Sequence, residues 1–233
     1  MNPRVVAFVH AKGSSDRVPG KNMRMLGDRP LFCHAIAIAR AVGSVDEVVI
    51  DSDDEGILAI GVAHGATPLR RPVRLANNAT TGDDLALWQA SSRPMTEIVL
   101  QIIPTAPFLE PASVERAIEW LTADATLNSV AGVTSDTLYV WRKGRPAYFA
   151  ADGSIPNSTQ LEPTVWETTG LYANRAAFVR TAHRRMDVQN VRPLPLSRLE
   201  SIDINTSEDF AFAEVVWRGM HGGESLRTAA SAR

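Results

Sequence analysis

Residues Ala7 to Asn22 read AFVHAKGSSDRVPGKN. The apolar run Val5-Val6-Ala7-Phe8-Val9 suits a strand buried on both faces. It breaks into thirteen residues, Ala11 to Met23, rich in Gly, Ser and cations. Small residues let backbone N–H groups approach an anion closely. Lys12, Arg17, Lys21 and Arg24 set positive charge against a single Asp16. A strand running into such a loop, with a helix after it, is a phosphate-binding arrangement. The loop lacks G-x-x-x-x-G-K-[ST] and G-x-G-x-x-G, so it is neither a Walker A loop nor a dinucleotide fingerprint. The alternative from spacing alone is an ordinary solvated surface loop.

Working outward, strand-like and helix-like segments alternate, which predicts an α/β fold with a largely parallel sheet. The 233 residues are enough for one domain with a sizeable core. Its extent is expected to be 1–221, with a polar, disordered tail over 222–233. A net charge of −2 gives no global field toward nucleic acid or membrane, so any attraction for phosphate must be local. One cysteine, Cys33, excludes an internal disulfide. It lies in a helical apolar pattern and reads as a buried structural thiol. There is no signal-peptide core and no bilayer-length apolar run, so a cytoplasmic protein is expected.

Pro30 marks a helix start and Gly43 its stop. The strand Glu47–Ile50 ends in Asp51-Ser52-Asp53-Asp54-Glu55, where Ser52 or Asp53 is expected to cap a helix that Gly65 ends. Thr80 or Thr81 caps the next, which turns Leu85, Leu87 and Trp88 to the core. Strand Glu97–Ile103 precedes Pro104-Thr105-Ala106-Pro107, and Ser113 is the expected cap of the following helix. After a strand at Ser129–Val133, residues 135–168 mix aromatic, proline and basic residues irregularly, the mark of a functional or interface segment. Asp203 and Asn205 alternate in an extended run, which puts them on one face, as two oxygen ligands of one cation would need. Thr206 and Asp209 read as a capping box. The five histidines form no ligand cluster, and none is assigned catalysis.

The run A-K-G-S-S-D-R-V-P-G-K-N resembles the N-terminal signature A-R-x-x-S-K-x-x-P-x-K-N of the acylneuraminate cytidylyltransferases, the CMP–sialic acid synthetases. Further segments follow in that family's order: 51–57, 71–81, 103–109, 166–172 and 201–210. The resemblance implies a three-layer nucleotide-diphospho-sugar transferase fold, Rossmann-like with a mostly parallel sheet, carrying a small dimerisation arm at 135–168. It implies transfer of CMP from CTP to an acidic sugar, with Mg²⁺ as cofactor and a homodimer as the assembly. Lys12 and Lys21 would neutralise the triphosphate. Ala11, Gly13, Ser14, Ser15, Asn22, Arg71, Asn78 and Thr81 would border the nucleotide. Gln101, Thr105, Thr169 and Tyr172 would meet the acceptor. Asp203 and Asn205 would hold the metal.

The departures from the pattern bear on the chemistry. Lys12 replaces Arg and keeps the charge without the bidentate fork. Asn78 and Asn205 replace acids. Ile103 replaces Gln, and Leu109 replaces Arg. Thr169 stands where Asn is usual, and Thr159 and Glu167 stand where sialate enzymes carry Arg. These changes leave open an octulosonate or a phosphate- or phosphonate-bearing acid as acceptor. They also leave open a protein that binds nucleotide without turnover.

Overall fold

The computed structural model describes residues 4–15, 17–147 and 154–221. In chain order, β1 (Val5–His10) is followed by the short pair β2 (Met25–Leu26) and β3 (Arg29–Pro30), then α1 (Leu31–Arg40). Next come β4 (Glu47–Ser52), α2 (Glu55–Ala63), β5 (Thr67–Arg70), α3 (Gly82–Ser92), β6 (Ile98–Ile102) and α4 (Pro111–Ala123). The second half holds β7 (Ser129–Asp136), the short pair β8 (Trp141–Arg142) and β9 (Arg145–Pro146), β10 (Thr164–Arg175), α5 (Ala176–Ala182), β11 (Val191–Pro195) and α6 (Ser207–His221). The central sheet runs β11-β7-β10-β6-β1-β4-β5. β10 is antiparallel to both its neighbours, and the other pairings are parallel.

Both faces of the sheet are covered, which is why its central strands read as continuous apolar runs. On one face Val5, Ala7 and Val9 pack with Phe32, Ile36, Ile57, Val114 and Ile118 of α1, α2 and α4. On the other, Val6, Phe8, Val49 and Val99 meet Ala86 and Ala90 of α3 and Val179 of α5. Cys33 is buried in the first of these, and burial pushes its thiol up to about 11, so it is inert packing. A smaller cluster of Leu26, Leu31, Phe108, Ile204 and Phe210 fastens α6 over the ends of the strands. Among the described residues no helix is long and apolar enough to cross a membrane.

Several local expectations are corrected. The cap of α2 is Asp54, whose carboxylate accepts from Ile57 N; Ser52 is buried and Asp53 is turned to another task. Glu110 stands before α4 and Pro111 takes its first position, where a missing N–H costs nothing, so Ser113 lies inside the helix. The first helix already ends at Arg40, before Gly43. Leu87 and Trp88 are only half-buried, because α3 turns Leu85, Ala86, Gln89 and Ala90 inward. Thr81 is the cap of α3, in a reciprocal box with Asp84.

The 135–168 segment is more regular than its composition suggests. β7 continues to Asp136 and β10 begins at Thr164. β8 and β9 form a hairpin whose turn residues Lys143 and Gly144 both have positive φ, 50° and 76°, the geometry that matches strand twist. Tyr148 and Phe149 lie outside the described residues, as does the tail 222–233.

Candidate active site

Two loops leave the C-terminal ends of β1 and β6, where open α/β sheets hold ligands. With the segment after β5 they enclose a cavity of about 570 Å³. Lys12, Ser14, Ser15, Arg17, Lys21 and Asn22 line one wall. Arg71, Asn77, Asn78 and Thr80 line another, and Ile103, Pro104 and Thr105 the third. The first loop is pinned from inside. Asn22 Nδ2 donates to Lys12 O at 2.9 Å, and Lys12 Nζ donates to Asn78 Oδ1 at 2.6 Å. Asn78 therefore holds a cationic side chain at the cavity wall through a neutral carbonyl, which does not cancel the charge. Gly13 N donates to Asp53 Oδ1 at 3.0 Å, so that amide is taken by protein and faces away from an anion. A β-carbon at Gly13 would lie 2.8 Å from Asp54 Cβ, so a larger residue there would push the loop off α2. Ala11 is buried, its N–H on Asp51 O.

Lys21 is buried, and its Nζ donates to Ile204 O at 2.8 Å. Burial and the neighbouring Arg17 cation hold its pKa below the usual lysine value; Asp203 and Asp209 oppose them. Ile204 N in turn donates to Thr105 O at 2.9 Å. One backbone unit thus ties the β1 loop, the β6 turn and the segment before α6 together.

That segment is irregular, not a strand, yet Asp203 and Asn205 still meet: Asn205 Nδ2 donates to Asp203 Oδ2 at 2.5 Å. Thr169 Oγ1 donates to the same oxygen at 3.1 Å. The other oxygen, Asp203 Oδ1, is buried without a partner among the described residues. An orphaned carboxylate oxygen is costly unless something fills the gap. A divalent cation that keeps most of its waters and takes one carboxylate fits this donor set. Among the described residues no group of three or more His, Cys, Asp or Glu could hold a metal by protein ligands alone. The capping box at the start of α6 is present, with Asp209 accepting from Thr206 N at 2.8 Å and Asp209 N donating to Thr206 Oγ1.

Arg71 is also buried. Its Nε donates to Asp51 Oδ1 at 3.0 Å and a terminal amine to Asp51 O at 2.9 Å. Gln89 Nε2 donates to Asp51 Oδ2 at 2.9 Å, and Gln101 Nε2 donates to Gln89 Oε1 at 2.8 Å. Leaving either charge of the Arg71–Asp51 pair alone would cost about 3–5 kcal/mol. The chain of bonds explains Gln101: it faces α3 under full burial and does not reach the cavity. His10 closes β1 at the cavity wall, and its Nδ1 has no partner among the described residues. Burial, with Arg71 and Arg185 nearby, pushes it down to about 3, so the imidazole is neutral at pH 7.

Beside Ile103 runs β10. Its pairing with β7 slips between Glu167 and Tyr172, and Thr169 adopts φ 58° in that bulge. The bulge turns Thr169 toward Asp203. Tyr172 is buried; its hydroxyl donates to Glu167 Oε2 at 2.8 Å, and burial is the main reason its pKa is pushed up to about 12.

The family model described as cytidylyltransferase matches residues 6–152. The chain belongs to the cytidylyltransferase family. CMP-N,N'-diacetyllegionaminic acid synthase from Legionella pneumophila subsp. pneumophila is 28% identical over 230 residues, covering 91% of this chain and 95% of that one. A 3-deoxy-manno-octulosonate cytidylyltransferase from Anaeromyxobacter sp. (strain Fw109-5) is 29% identical over 215 residues, covering 85% of this chain and 80% of that one. Among solved structures, CMP:2-keto-3-deoxy-manno-octonic acid synthetase complexed with CTP superposes with a TM-score of 0.71 at 16% identity. It covers 93% of this chain and 99% of that one, and shows the fold.

In this CTP-dependent cytidylyltransferase, the cavity gathers Lys12, Ser14, Ser15, Lys21, Asn22, Arg71, Asn78 and Thr105 from the expected set. Thr169 and Tyr172 are not among the lining residues: Thr169 reaches Asp203, and the buried Tyr172 bonds Glu167. Gly13, Thr81 and Gln101 are engaged elsewhere, by Asp53, by the α3 cap and by Gln89. Sequence reasoning missed His10 and the backbone of Ile204, and named Arg17 only as one of the loop's cations. His10 had a signal: it is the last residue of a buried strand, at the end where such sheets bind ligands.

Proposed function

We propose that this cytidylyltransferase transfers CMP from CTP to an acidic sugar of the nonulosonate type and releases pyrophosphate. The observation that carries the reading is the link from buried Lys21, which lines the cavity, through Ile204 to the Asp203–Asn205 pair: it sets beside that cation a carboxylate with one oxygen unpartnered among the described residues. The name of the Legionella relative, which matches over nearly the full length of both chains, supports a nonulosonate acceptor. In the reaction an acceptor oxygen attacks the α-phosphorus in line, and the P–O bond to pyrophosphate breaks. Lys12 and Lys21 offset the charge of the triphosphate and of the leaving pyrophosphate. The half-buried site lowers the dielectric around both amines, which strengthens their pull on phosphate. Asn22 keeps Lys12 in place, and Ser14 and Ser15 offer donors at the cavity wall. Asp203 and Asn205 would hold Mg²⁺, which supplies Lewis-acid polarisation of phosphate oxygens when bound.

A homodimer is part of the proposal. Tyr139, Trp141, Val165 and Trp166 expose large apolar surface along the arm, and such surface favours a partner copy. The demand for CTP, together with the single free thiol, supports a cytoplasmic setting.

The test is pyrophosphate release with Mg²⁺, CTP and a panel of acids. Turnover is expected with N,N'-diacetyllegionaminic acid or another nonulosonate, and not with UTP, ATP or GTP. Turnover with 3-deoxy-manno-octulosonate instead would establish the second reading, which the octulosonate relatives favour. CTP binding by calorimetry with no turnover on any acid would establish a binding protein, the reading that Asn205 and Ile103 motivate.

A further inference from the structure

Each half-buried arginine described here has a settled account except one. Arg175 donates to the carbonyls of Leu121, Asp124 and Leu127. Arg180 donates to those of Ala90, Arg93 and Thr96. Arg93 pairs with Glu47, and Arg29 with Asp28. Arg185 is held by its backbone, with its N–H on Asp83 Oδ1 at 2.7 Å. Its guanidinium lies 3.9 Å from the centre of the Tyr172 ring, and among the described residues it has no hydrogen bond or ion pair. A planar fork with five N–H donors is thus oriented by stacking and left with its donors unused.

Its position follows from two neighbours. A β-carbon on Gly82 would come within 2.6 Å of the Arg185 guanidinium carbon, so glycine at the start of α3 makes room for it. Leu85, three residues on and on the same helix face, lines the cavity. From the other side, β10 pairs Tyr172 with Gln101, and Ile103 N donates to Gly170 O, which sets this stretch beside the Ile103–Thr105 wall. Thr169, three residues before Tyr172, reaches Asp203. The fork therefore stands close to the cavity, within a helical turn of Leu85 and near enough to the lining residue His10 for its charge to act on that imidazole.

We infer that Arg185 is the anion anchor of the acceptor site, its guanidinium taking the carboxylate of the incoming sugar acid while the Tyr172 ring holds it flat. A bidentate match to a carboxylate needs this planar, pre-oriented geometry. The inference rests on the cytidylyltransferase reading of the same cavity and adds to it a specificity-determining residue. Gly82 and Tyr172 are then positioning residues for that fork.

The test compares wild type with Arg185→Ala and Arg185→Lys, using N,N'-diacetyllegionaminic acid and 3-deoxy-manno-octulosonate as probes. Steady-state pyrophosphate release gives KM for acid and for CTP. Calorimetry with CDP filling the nucleotide site gives the affinity of each acid directly, and thermal melts check the fold. For Arg185→Ala the expected result is a rise of at least tenfold in acid KM and Kd for the acid that wild type accepts, with CTP KM unchanged. Arg185→Lys is expected to fall between, because it keeps the charge and loses the fork. Acid affinity within twofold of wild type in the alanine variant overturns the inference. So does an equal loss for CTP, or a wild type that binds neither acid. Wild type that binds acid through Arg185 but releases no pyrophosphate would uphold the anchor and count against the reaction, so the two failures are separable.

Discussion

Thr169 shows how much one position can carry. A β-branched residue at φ 58° is a backbone outlier, and such strain costs on the order of 1–3 kcal/mol. The bulge holds it there, and in that conformation its hydroxyl reaches Asp203. Asparagine adopts the left-handed region with less strain and can donate to the same carboxylate. Thr169→Asn is therefore expected to stabilise the protein by about 1 kcal/mol, which raises Tm by roughly 2–4 °C in a chain of this size. A thermal melt decides it, and an unchanged or lower Tm would mean that the bulge is not strained. The sequence showed only that Thr stands in an unusual place; the sign of φ is set by the slip between β7 and β10. Lys21 is the converse, legible as a cation in a loop, with its burial and its bond to Ile204 visible only once α6 is folded over the site.

At the level of elements, the segment from Asp203 to Asp209 does two tasks. Its second half starts α6 with a capping box, which the Thr206-x-x-Asp209 spacing already implied. Its first half brings Asp203 and Asn205 together without strand geometry, because Ile204 is clamped between Lys21 and Thr105. The amide of Asn205 stabilises the Asp203 carboxylate by donating a hydrogen bond, without cancelling its charge. Asn205→Asp would set two carboxylates against each other, and a divalent cation would relieve them. The expected outcome is a lower Tm without Mg²⁺ and a larger Mg²⁺-induced rise than wild type, with turnover retained. Equal Mg²⁺ shifts in the two proteins would show that this pair does not meet the metal.

For the whole molecule, acid stability should carry the mark of His10. Its folded pKa is about 3 against 6.5 for the unfolded group. Below pH 6.5 the unfolded chain takes up a proton that the folded one refuses until about pH 3. Stability present above 6.5 is therefore lost as pH falls through that window, at up to about 1.4 kcal/mol per pH unit. Between pH 6.5 and 4.5, wild type is expected to lose about 2–3 kcal/mol more than His10→Gln, read from urea midpoints; equal losses would show that His10 titrates normally. The sequence by itself determined the alternation of strands and helices, the parallel core, the cation-rich loop and the family, because these rest on local periodicity and on contiguous motifs. Three loops converging on the strand ends bring Lys12 to Asn78 and Lys21 to Ile204, contacts 66 and 183 residues apart that no local pattern encodes. The partners of Gln101 were equally out of reach. A glutamine in a strand reads as a site residue or an edge residue, and only the packing of α3 on the sheet decided that its amide completes a buried chain to Asp51 and Arg71. Burial makes such polar groups find each other, and burial is a property of the folded whole.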